Sequence, residues 1–193
     1  MRHFIYFSST AVTSGGALRK RDLMKAGRMD IAIHSIIQGL FLSHNIRENV
    51  VFHLIFYGMP DPPKHIEIHG HKELEITKKN VAKLIQKILY KFKEGEKTEV
   101  LPGCFIERKS FLKVIEELSQ NNRIFVLDKK GKDIRKANLT KNSVFVIGDH
   151  KGLPKKELKR LKEIAEFISI GNKTYFASQT IAVVNNELDR RNL

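Results

Sequence analysis

Short apolar runs alternate along this chain with longer segments whose apolar residues recur at helical spacing. The runs are rich in β-branched residues and Phe and too short for helices, so they predict buried strands. They fall at residues 4–7, 50–57, 124–127, 144–147 and 167–170. The segments between them predict amphipathic helices, which begin near Asp30, Thr77, Ser110 and Pro154. This alternation predicts an α/β fold with a mostly parallel sheet flanked by helices.

Two of the predicted strands end in glycine and lead toward helices. Gly148 and Gly152 follow the strand at 144–147, and Gly171 follows the strand at 167–170. Open α/β sheets bind ligands at the carboxyl ends of their strands, where glycine lets a ligand approach the main chain. A single glycine of this kind more often just turns the chain into a helix, but two successive turns of one design favour a pocket. Neither turn matches a dinucleotide or nucleoside triphosphate motif.

Charge is the unusual feature of the composition. The 193 residues include 35 Lys and Arg against 21 Asp and Glu, a formal net charge of +14. Such an excess predicts attraction to a polyanion, with nucleic acid as the leading candidate and an anionic membrane behind it. No apolar run approaches the roughly 20 residues that span a bilayer, and residues 1–16 lack the apolar segment of a secretory signal. We therefore expect no membrane span and a cytoplasmic location.

Cations concentrate in two places. A cluster before the first helix contains Arg19, Lys20, Arg21, Lys25 and Arg28, and a lysine-rich helix is predicted over residues 77–92. Each is a candidate surface for holding RNA phosphates, and a solvated charged surface is an equally good interpretation of the first cluster. The residues from Ser8 to Gly16 are rich in Ser, Thr and Gly and predict a mobile loop.

The sequence gives little support for a metal site or for a catalytic thiol. His65, His69 and His71 are closely spaced, but no further ligand stands at a familiar spacing, so a solvated hairpin is favoured and no metal is predicted. Cys104 is the only cysteine. It has no neighbouring base in the sequence, which predicts a small buried residue rather than a nucleophile.

Several longer motifs resemble a known family. FVIGDHKGLP and ISIGNKTYFASQTIAVVNNELDRR are similar to the carboxyl-terminal half of SPOUT methyltransferases. AGRMDIAIHSIIQGLFLSH, GMPDPPKHI and LPGCFIERKSF resemble the archaeal tRNA pseudouridine-54 N1-methyltransferases, a branch of that class, so the resemblance covers nearly the whole chain. It implies one domain over residues 1–193, a carboxyl-terminal trefoil knot, S-adenosylmethionine as cofactor and a homodimer.

The implied activity is methylation of N1 of pseudouridine 54 in the T-loop of tRNA. The same reaction on rRNA is an alternative, and so is a non-catalytic RNA-binding factor of ribosome assembly with the same fold. The resemblance places the cofactor, mainly through backbone atoms, beside Leu127, Gly148, Asp149, Leu153, Ile170, Gly171, Asn172, Lys173, Thr174, Tyr175, Phe176 and Thr180. Leu153, Ile170 and Phe176 would keep the pocket dry, or are ordinary core residues.

Asp61 matches the aspartate of the family's Asp-Pro-Pro turn and is the first candidate for a catalytic or uracil-positioning role, followed by Arg28 and Asp30. Capping of the turn backbone is an equally good role for Asp61. Thr180 and Asn185 stand where the family commonly has cysteine and histidine, so a catalytic thiol is excluded and direct attack by the base on the methyl group is expected. Apolar residues at helical spacing near the carboxyl terminus predict either a dimer interface or plain core, namely Ile181, Val184 and Leu188.

Overall fold

The computed structural model describes residues 1–18, 22–74 and 76–193. Within these residues the strands are β1 (Arg2–Ser8), β2 (Phe41–Leu42), β3 (Asn45–Ile46), β4 (Val50–Phe56), β5 (Lys64–His69), β6 (Thr98–Leu101), β7 (Cys104–Glu107), β8 (Arg123–Asp133), β9 (Ser143–Gly148) and β10 (Ala165–Ser169). The helices are α1 (Met29–Leu40), α2 (Val81–Tyr90), α3 (Phe111–Ser119), α4 (Lys155–Ile164) and α5 (Ala177–Arg190), with a 3-10 turn at Ile134–Lys136.

Eight strands form one sheet in the order β10-β8-β9-β1-β4-β5-β7-β6. The neighbours from β10 to β4 are all parallel, and β5, β7 and β6 continue the sheet with antiparallel pairing. The predicted α/β fold with a mostly parallel sheet is therefore confirmed, while the trefoil knot stays a prediction. Because β1, β4, β8, β9 and β10 run the same way, their carboxyl ends lie at one edge, which we call the carboxyl edge.

Helices cover both faces of the parallel strands. Alternate side chains of β1 point to opposite faces, so Phe4 and Tyr6 pack in one apolar cluster with α1, α2 and α5, and Ile5 and Phe7 pack in another with α3 and α4. All four side chains are at most 1% exposed. Among the described residues, no helix combines the length and hydropathy that a bilayer span requires.

Helix α5 packs against α1 through its apolar face. Ile181, Val184 and Leu188 are fully buried within the chain's own core. The interpretation of these three residues as a dimer interface is therefore wrong. Helical spacing of apolar residues does not distinguish a face that meets another copy from one that meets a neighbouring helix.

Two helix starts test the capping predictions. Ser110 is confirmed as the N-cap of α3, because its hydroxyl accepts a hydrogen bond from the Lys113 backbone N–H at 3.4 Å. Thr77 is wrong as the N-cap of the next helix upstream. Helix α2 begins three residues later than that cap requires, at Val81, with Asn80 in the capping position.

The charged segment after residue 127 is part of β8, but it does not pair continuously with β10. The pairing of β8 with β10 shifts register there: Phe167 is opposite Val126, whereas Ile168 is opposite Lys132. Residues 127–131 are therefore looped out of the ladder on the β8 side. This bulge lies next to the carboxyl edge and reaches toward α4.

Candidate active site

The loop that follows β1 connects the parts of the site, and we call residues 8–13 the hub loop. It was predicted to be mobile, but Ala11 and Thr13 are buried. The Thr13 hydroxyl donates to the Gly58 carbonyl at 2.8 Å and accepts from the Asp61 backbone N–H at 2.8 Å. The Gly58 N–H donates to the Ala11 carbonyl at 3.0 Å. These bonds fix the turn that presents Asp61 after β4.

The same loop holds the start of α1. The Thr10 hydroxyl donates to the Gly27 carbonyl at 3.0 Å. Gly27 has φ +69°, and a Cβ added there would overlap the Thr10 carbonyl oxygen, so only glycine fits this contact. The next residue, Arg28, forms two hydrogen bonds of 3.0 Å to the Asp30 carboxylate. Two of the predicted catalytic side chains are thus locked together at the entrance of α1.

A third attachment runs from the hub loop to the glycine turn after β9. The side chain of Asp149 is fully buried. Its carboxylate accepts hydrogen bonds from the Ser8 hydroxyl at 2.7 Å, the Ser9 N–H at 3.2 Å and the Lys151 N–H at 2.8 Å. With its carboxylate committed to the protein, Asp149 has only backbone atoms left to offer a cofactor. One short loop therefore joins the predicted catalytic residues to the predicted cofactor turn.

Asp61 is held by two cations. Its carboxylate accepts from Lys64 Nζ at 2.8 Å and from Arg108 Nη2 at 2.6 Å. These hydrogen bonds, from Lys64 first and then Arg108, lower the pKa of Asp61 below its usual value. The carboxylate is about half exposed. A carboxylate that stays ionised accepts hydrogen bonds well but is a weak proton acceptor, so this arrangement favours positioning over general-base catalysis.

Tyr6 is a residue that sequence reasoning missed, because it looked like one more apolar residue of β1. Its hydroxyl is buried and has no hydrogen-bond partner within the described ranges. Burial is the main cause that raises the pKa of Tyr6 well above its usual value, and the charges of Asp149 and Asp30 add to the effect. The hydroxyl therefore lies among the same acidic groups that surround the hub loop and keeps its proton.

The glycine turns at the carboxyl edge are suited to a ligand bound through main-chain atoms. A Cβ added to Gly148 would lie 2.5 Å from the Gly152 carbonyl carbon, so glycine is needed for the turn to fold back on itself. A Cβ on Gly152 or Gly171 would meet nothing within 4 Å. Both of these glycines have positive φ and face open space. The residues present therefore fit a cofactor that is gripped by backbone, as the resemblance implies.

The side chains predicted to border the cofactor divide into two groups. Leu127, Leu153 and Ile170 are half-buried and pack on the two apolar clusters, whereas residues 171–176 are exposed. Phe176 is 71% exposed, so it does not shield a pocket in this chain as the interpretation of a dry pocket required. Thr180 is buried, and both its N–H and its hydroxyl donate to the Phe176 carbonyl.

Two unusual positions have structural roles. Asn185 is buried, accepts from Arg2 Nη1 at 3.1 Å and donates to the carbonyls of Gln38 and Gly39. Its side chain therefore joins α5 to β1 and α1. Cys104 is also fully buried, and burial raises its pKa to about 11. The prediction that Cys104 is a small buried residue is confirmed.

A row of histidines crosses the sheet. His3 Nδ1 lies 3.0 Å from His53 Nε2, His53 Nδ1 lies 2.9 Å from His65 Nε2, and His65 Nδ1 lies 3.0 Å from a Glu107 carboxylate oxygen. His65 is 3% exposed, so the solvated hairpin predicted for it is wrong. His53, His65 and Glu67 offer ligand atoms within 4.8 Å of one another, a grouping that can hold a metal ion. The two imidazoles are already hydrogen-bonded to each other.

This row predicts acid sensitivity. Burial lowers the pKa of His3 from 6.5 to about 4, and burial also lowers the pKa of His53 well below its usual value. The unfolded chain then binds more protons than the folded one between these values, so stability is complete above about pH 6.5 and is lost as the pH falls toward 4. For His3 alone, the shift from 6.5 to about 4 corresponds to roughly 3 kcal/mol. Chemical denaturation from pH 7 to pH 4 measures it.

The variant His3→Gln should flatten this pH dependence, because its amide does not titrate. His44 is exposed and has φ +63°, a conformation that asparagine tolerates. His44→Asn is therefore the matched control and should keep the dependence of the unmodified chain. An equally steep loss of stability in His3→Gln would show that His3 does not contribute to the effect.

The structure describes only some of the residues that are predicted to bind RNA. Arg19, Lys20 and Arg21 lie outside the described residues. Lys25 is exposed and forms an ion pair of 2.9 Å with Asp22. An exposed pair of this kind contributes at most about 1 kcal/mol, so Lys25 stays available to exchange its partner for a phosphate.

Comparison with known proteins identifies the family of this chain. The model of a family described as "Putative SAM-dependent RNA methyltransferase" matches residues 1–193. The tRNA (pseudouridine(54)-N(1))-methyltransferase of Pyrococcus abyssi is 36% identical over 200 residues, covering 98% of each chain. The enzyme of the same name from Methanocaldococcus jannaschii is 32% identical over 203 residues, covering 100% of this chain and 98% of its own.

Among solved structures, Archaeoglobus fulgidus Nep1 bound to S-adenosylhomocysteine superimposes with a TM-score of 0.65, covering 97% of each chain. The two sequences are 13% identical, so this structural similarity shows the fold alone. The match of the family model over the whole chain and the two relatives above 30% identity show the family directly. The chain belongs to the SAM-dependent RNA methyltransferase family that includes the tRNA (pseudouridine(54)-N(1))-methyltransferases.

Proposed function

We propose that this protein transfers a methyl group from S-adenosylmethionine to N1 of pseudouridine 54 in the T-loop of tRNA, giving N1-methylpseudouridine. The observation that carries the proposal is the hub loop, which joins the Asp61 turn, the Arg28–Asp30 pair and the turn at Asp149 at one sheet edge. The names of the two relatives support the choice of base and RNA. A tRNA substrate is also compatible with a cytoplasmic location of the protein.

The cofactor would be held where backbone is open, at the turns of Gly148 and Gly171. Leu127, Leu153 and Ile170 would support it from below, and residues 172–176 with Thr180 would border its other side. S-adenosylmethionine, when bound, supplies an electrophilic methyl group on a sulfonium sulfur. The task of this chain is to exclude water there and to align the incoming nitrogen with that methyl group, which is the large proximity contribution.

The base would be oriented by Asp61. An ionised carboxylate accepts a hydrogen bond from a ring N–H, and the hydrogen bonds of Lys64 and Arg108 hold this carboxylate in one position. The Arg28–Asp30 pair lies at the same edge and would form another polar side of the base-binding site. Because Thr180 offers no thiol, N1 would attack the methyl group of the donor directly, without a covalent adduct between enzyme and base. The demethylated donor would be the leaving group, and the N1 proton would finally be released to the bulk solvent outside the site.

RNA would reach the site with the target base turned out of the T-loop. Arg19, Lys20, Arg21 and Lys25, which precede α1 in the sequence, would contact phosphates of the RNA. A homodimer is also part of the proposal. Phe176, at the N-cap of α5, and Val183, within α5, are exposed and seven residues apart in the sequence, so a second copy would find apolar surface there. Tyr175 is exposed beside them.

The decisive experiment offers labelled S-adenosylmethionine and two tRNA transcripts, one with pseudouridine and one with uridine at position 54. We expect transfer to the first only, because uridine carries its ribose on N1 and has no N–H there. A ribosomal RNA fragment with pseudouridine is the third substrate. Preferred transfer to that fragment would favour the rRNA enzyme, and tight tRNA binding without transfer would favour the non-catalytic assembly factor.

A further inference from the structure

A basic cavity lies between the β8 bulge and helix α4, on the face of the sheet that α3 and α4 cover. It measures about 540 Å³ and is open on one side. Four lysines line it, namely Lys130, Lys155, Lys159 and Lys162. We propose that this cavity, here called the lysine groove, binds the phosphate backbone of the substrate tRNA beside the methyl-transfer site. The inference rests on the proposed function and adds a contact surface to it.

The lysines of the groove carry uncompensated charge. Lys155, Lys159 and Lys162 are spaced four and three residues apart, so they share one face of α4, and all are exposed. Neither they nor Lys130 form an ion pair in the part of the chain that the structure describes. Asp128 is the acidic residue of the lining, and its carboxylate accepts the Lys130 backbone N–H at 2.8 Å.

Like charges at this spacing weaken a helix slightly, so the arrangement is not explained by the stability of α4. The position of Lys155 in the first helical turn is also unfavourable, because cations are better placed at the last turn of a helix. Lys162, by contrast, is favourably placed in the last turn of α4. The feature that suits the cluster to an anionic partner is its lack of acidic partners among the described residues. With a net charge of +14, the whole chain favours the approach of such a partner.

The floor of the groove is apolar. Leu158 and Phe167 line it between the lysines, and both are half-buried. This combination of cationic rim and apolar floor matches a run of nucleotides, whose phosphates meet the lysines while a ribose or base lies on the floor. An isolated small anion would make no use of Leu158 and Phe167.

The groove also lies next to residues that are proposed to border the cofactor. Asp128 directly follows Leu127, and Lys155 follows Leu153 with one residue between them. Both of these leucines are proposed to border the cofactor. Strand β10, which carries Phe167, leads into the turn at Gly171. An RNA strand bound in the groove is thereby led to the carboxyl edge, where its target base would enter the site.

The test compares tRNA binding by double variants that each remove two positive charges. Lys155→Gln with Lys159→Gln changes the groove. We expect tRNA binding to weaken about tenfold or more near 0.1 M salt, and the slope of log K against log salt to fall by roughly 1.5 to 2, as for two lost phosphate contacts. Glutamine is uncharged and forms helices well, so α4 should persist. Circular dichroism checks this.

Two matched variants control for charge alone. Lys136→Gln with Lys141→Gln removes two exposed lysines between β8 and β9, outside the groove, and should lower affinity far less. Lys83→Gln with Lys87→Gln removes two exposed lysines at the same spacing on α2, the competing surface. Unchanged affinity in the groove variant, or an equal loss in the first control, would overturn the proposal. A larger loss in the α2 variant would also overturn it and assign the backbone contact to that helix.

The binding of S-adenosylmethionine, measured by calorimetry without RNA, should be unchanged in the groove variant. Loss of cofactor binding there would show that the cavity belongs to the cofactor site, and it too would overturn the proposal. The tRNA binding assay needs no methyl transfer. If the protein bound tRNA through the groove but methylated no substrate, the proposed function would be refuted, whereas the proposed role of the groove in RNA binding would be supported.

Discussion

Asp149→Ala is expected to reduce methyl transfer at least about a hundredfold and to lower the free energy of unfolding by roughly 3 kcal/mol. The substitution removes three hydrogen bonds to a buried carboxylate and leaves the Ser8 hydroxyl and the Ser9 and Lys151 N–H groups without their acceptor. The turn after β9 and the hub loop then lose their connection. Turnover with tRNA and chemical denaturation measure the two effects.

Two further variants show whether the connection, rather than any acidic residue, matters. Asp149→Asn keeps one acceptor oxygen in the same shape and should lie between Asp149→Ala and the unmodified chain in both measurements. Glu96→Ala removes an exposed carboxylate that pairs with the exposed Lys93, outside the hub loop, and should leave turnover nearly unchanged. Full activity in Asp149→Ala would disprove the coupling that we assign to this side chain.

The second large effect is expected at Asp61. Asp61→Asn should lower kcat about a hundredfold while leaving the affinity for S-adenosylmethionine unchanged, because a carboxylate that orients the base acts in the aligned complex. Asparagine keeps the size of the side chain and one acceptor for Lys64, whose own side chain is 1% exposed. Single-turnover rates and equilibrium cofactor binding separate the two quantities.

Glu94→Gln is the control for Asp61. Glu94 is the other carboxylate bound to Arg108, at 2.8 Å, and it is 65% exposed. Its neutralisation weakens the same guanidinium network without touching the proposed base contact, so turnover should stay close to that of the unmodified chain. If both variants lost activity equally, Arg108 would be the important group. Unchanged turnover in Asp61→Asn would remove this aspartate from the mechanism.

Local sequence signals predicted the frame of the site well. The apolar runs that ended in Gly148 and preceded Gly171 correctly located the ends of β9 and β10. These features succeed because strand length, β-branched content and glycine conformations depend on neighbouring residues. The sheet order then brings the turns to one edge without further information.

The connections between those turns could not be predicted in the same way. Ser8 and Asp149 are 141 residues apart in the chain, and their hydrogen bond exists only once β1 and β9 lie side by side. The histidine row likewise depends on the pairing of β1, β4, β5 and β7. Tyr6 shares the burial of its apolar neighbours in β1, so nothing in the sequence pattern singled out its hydroxyl.

The hub loop would also couple the binding of the two substrates. Residues 8–13 form hydrogen bonds both to the Asp149 turn, which is proposed to face the donor, and to the Asp61 turn, which is proposed to face the acceptor. Either substrate would therefore restrain a segment that the other also needs. Linkage requires this influence to be mutual: the factor by which the donor tightens the grip on RNA equals the factor by which RNA tightens the grip on the donor. Spent cofactor, lacking its methyl group, would still fill the donor side, so release of the methylated RNA would be subject to the same coupling.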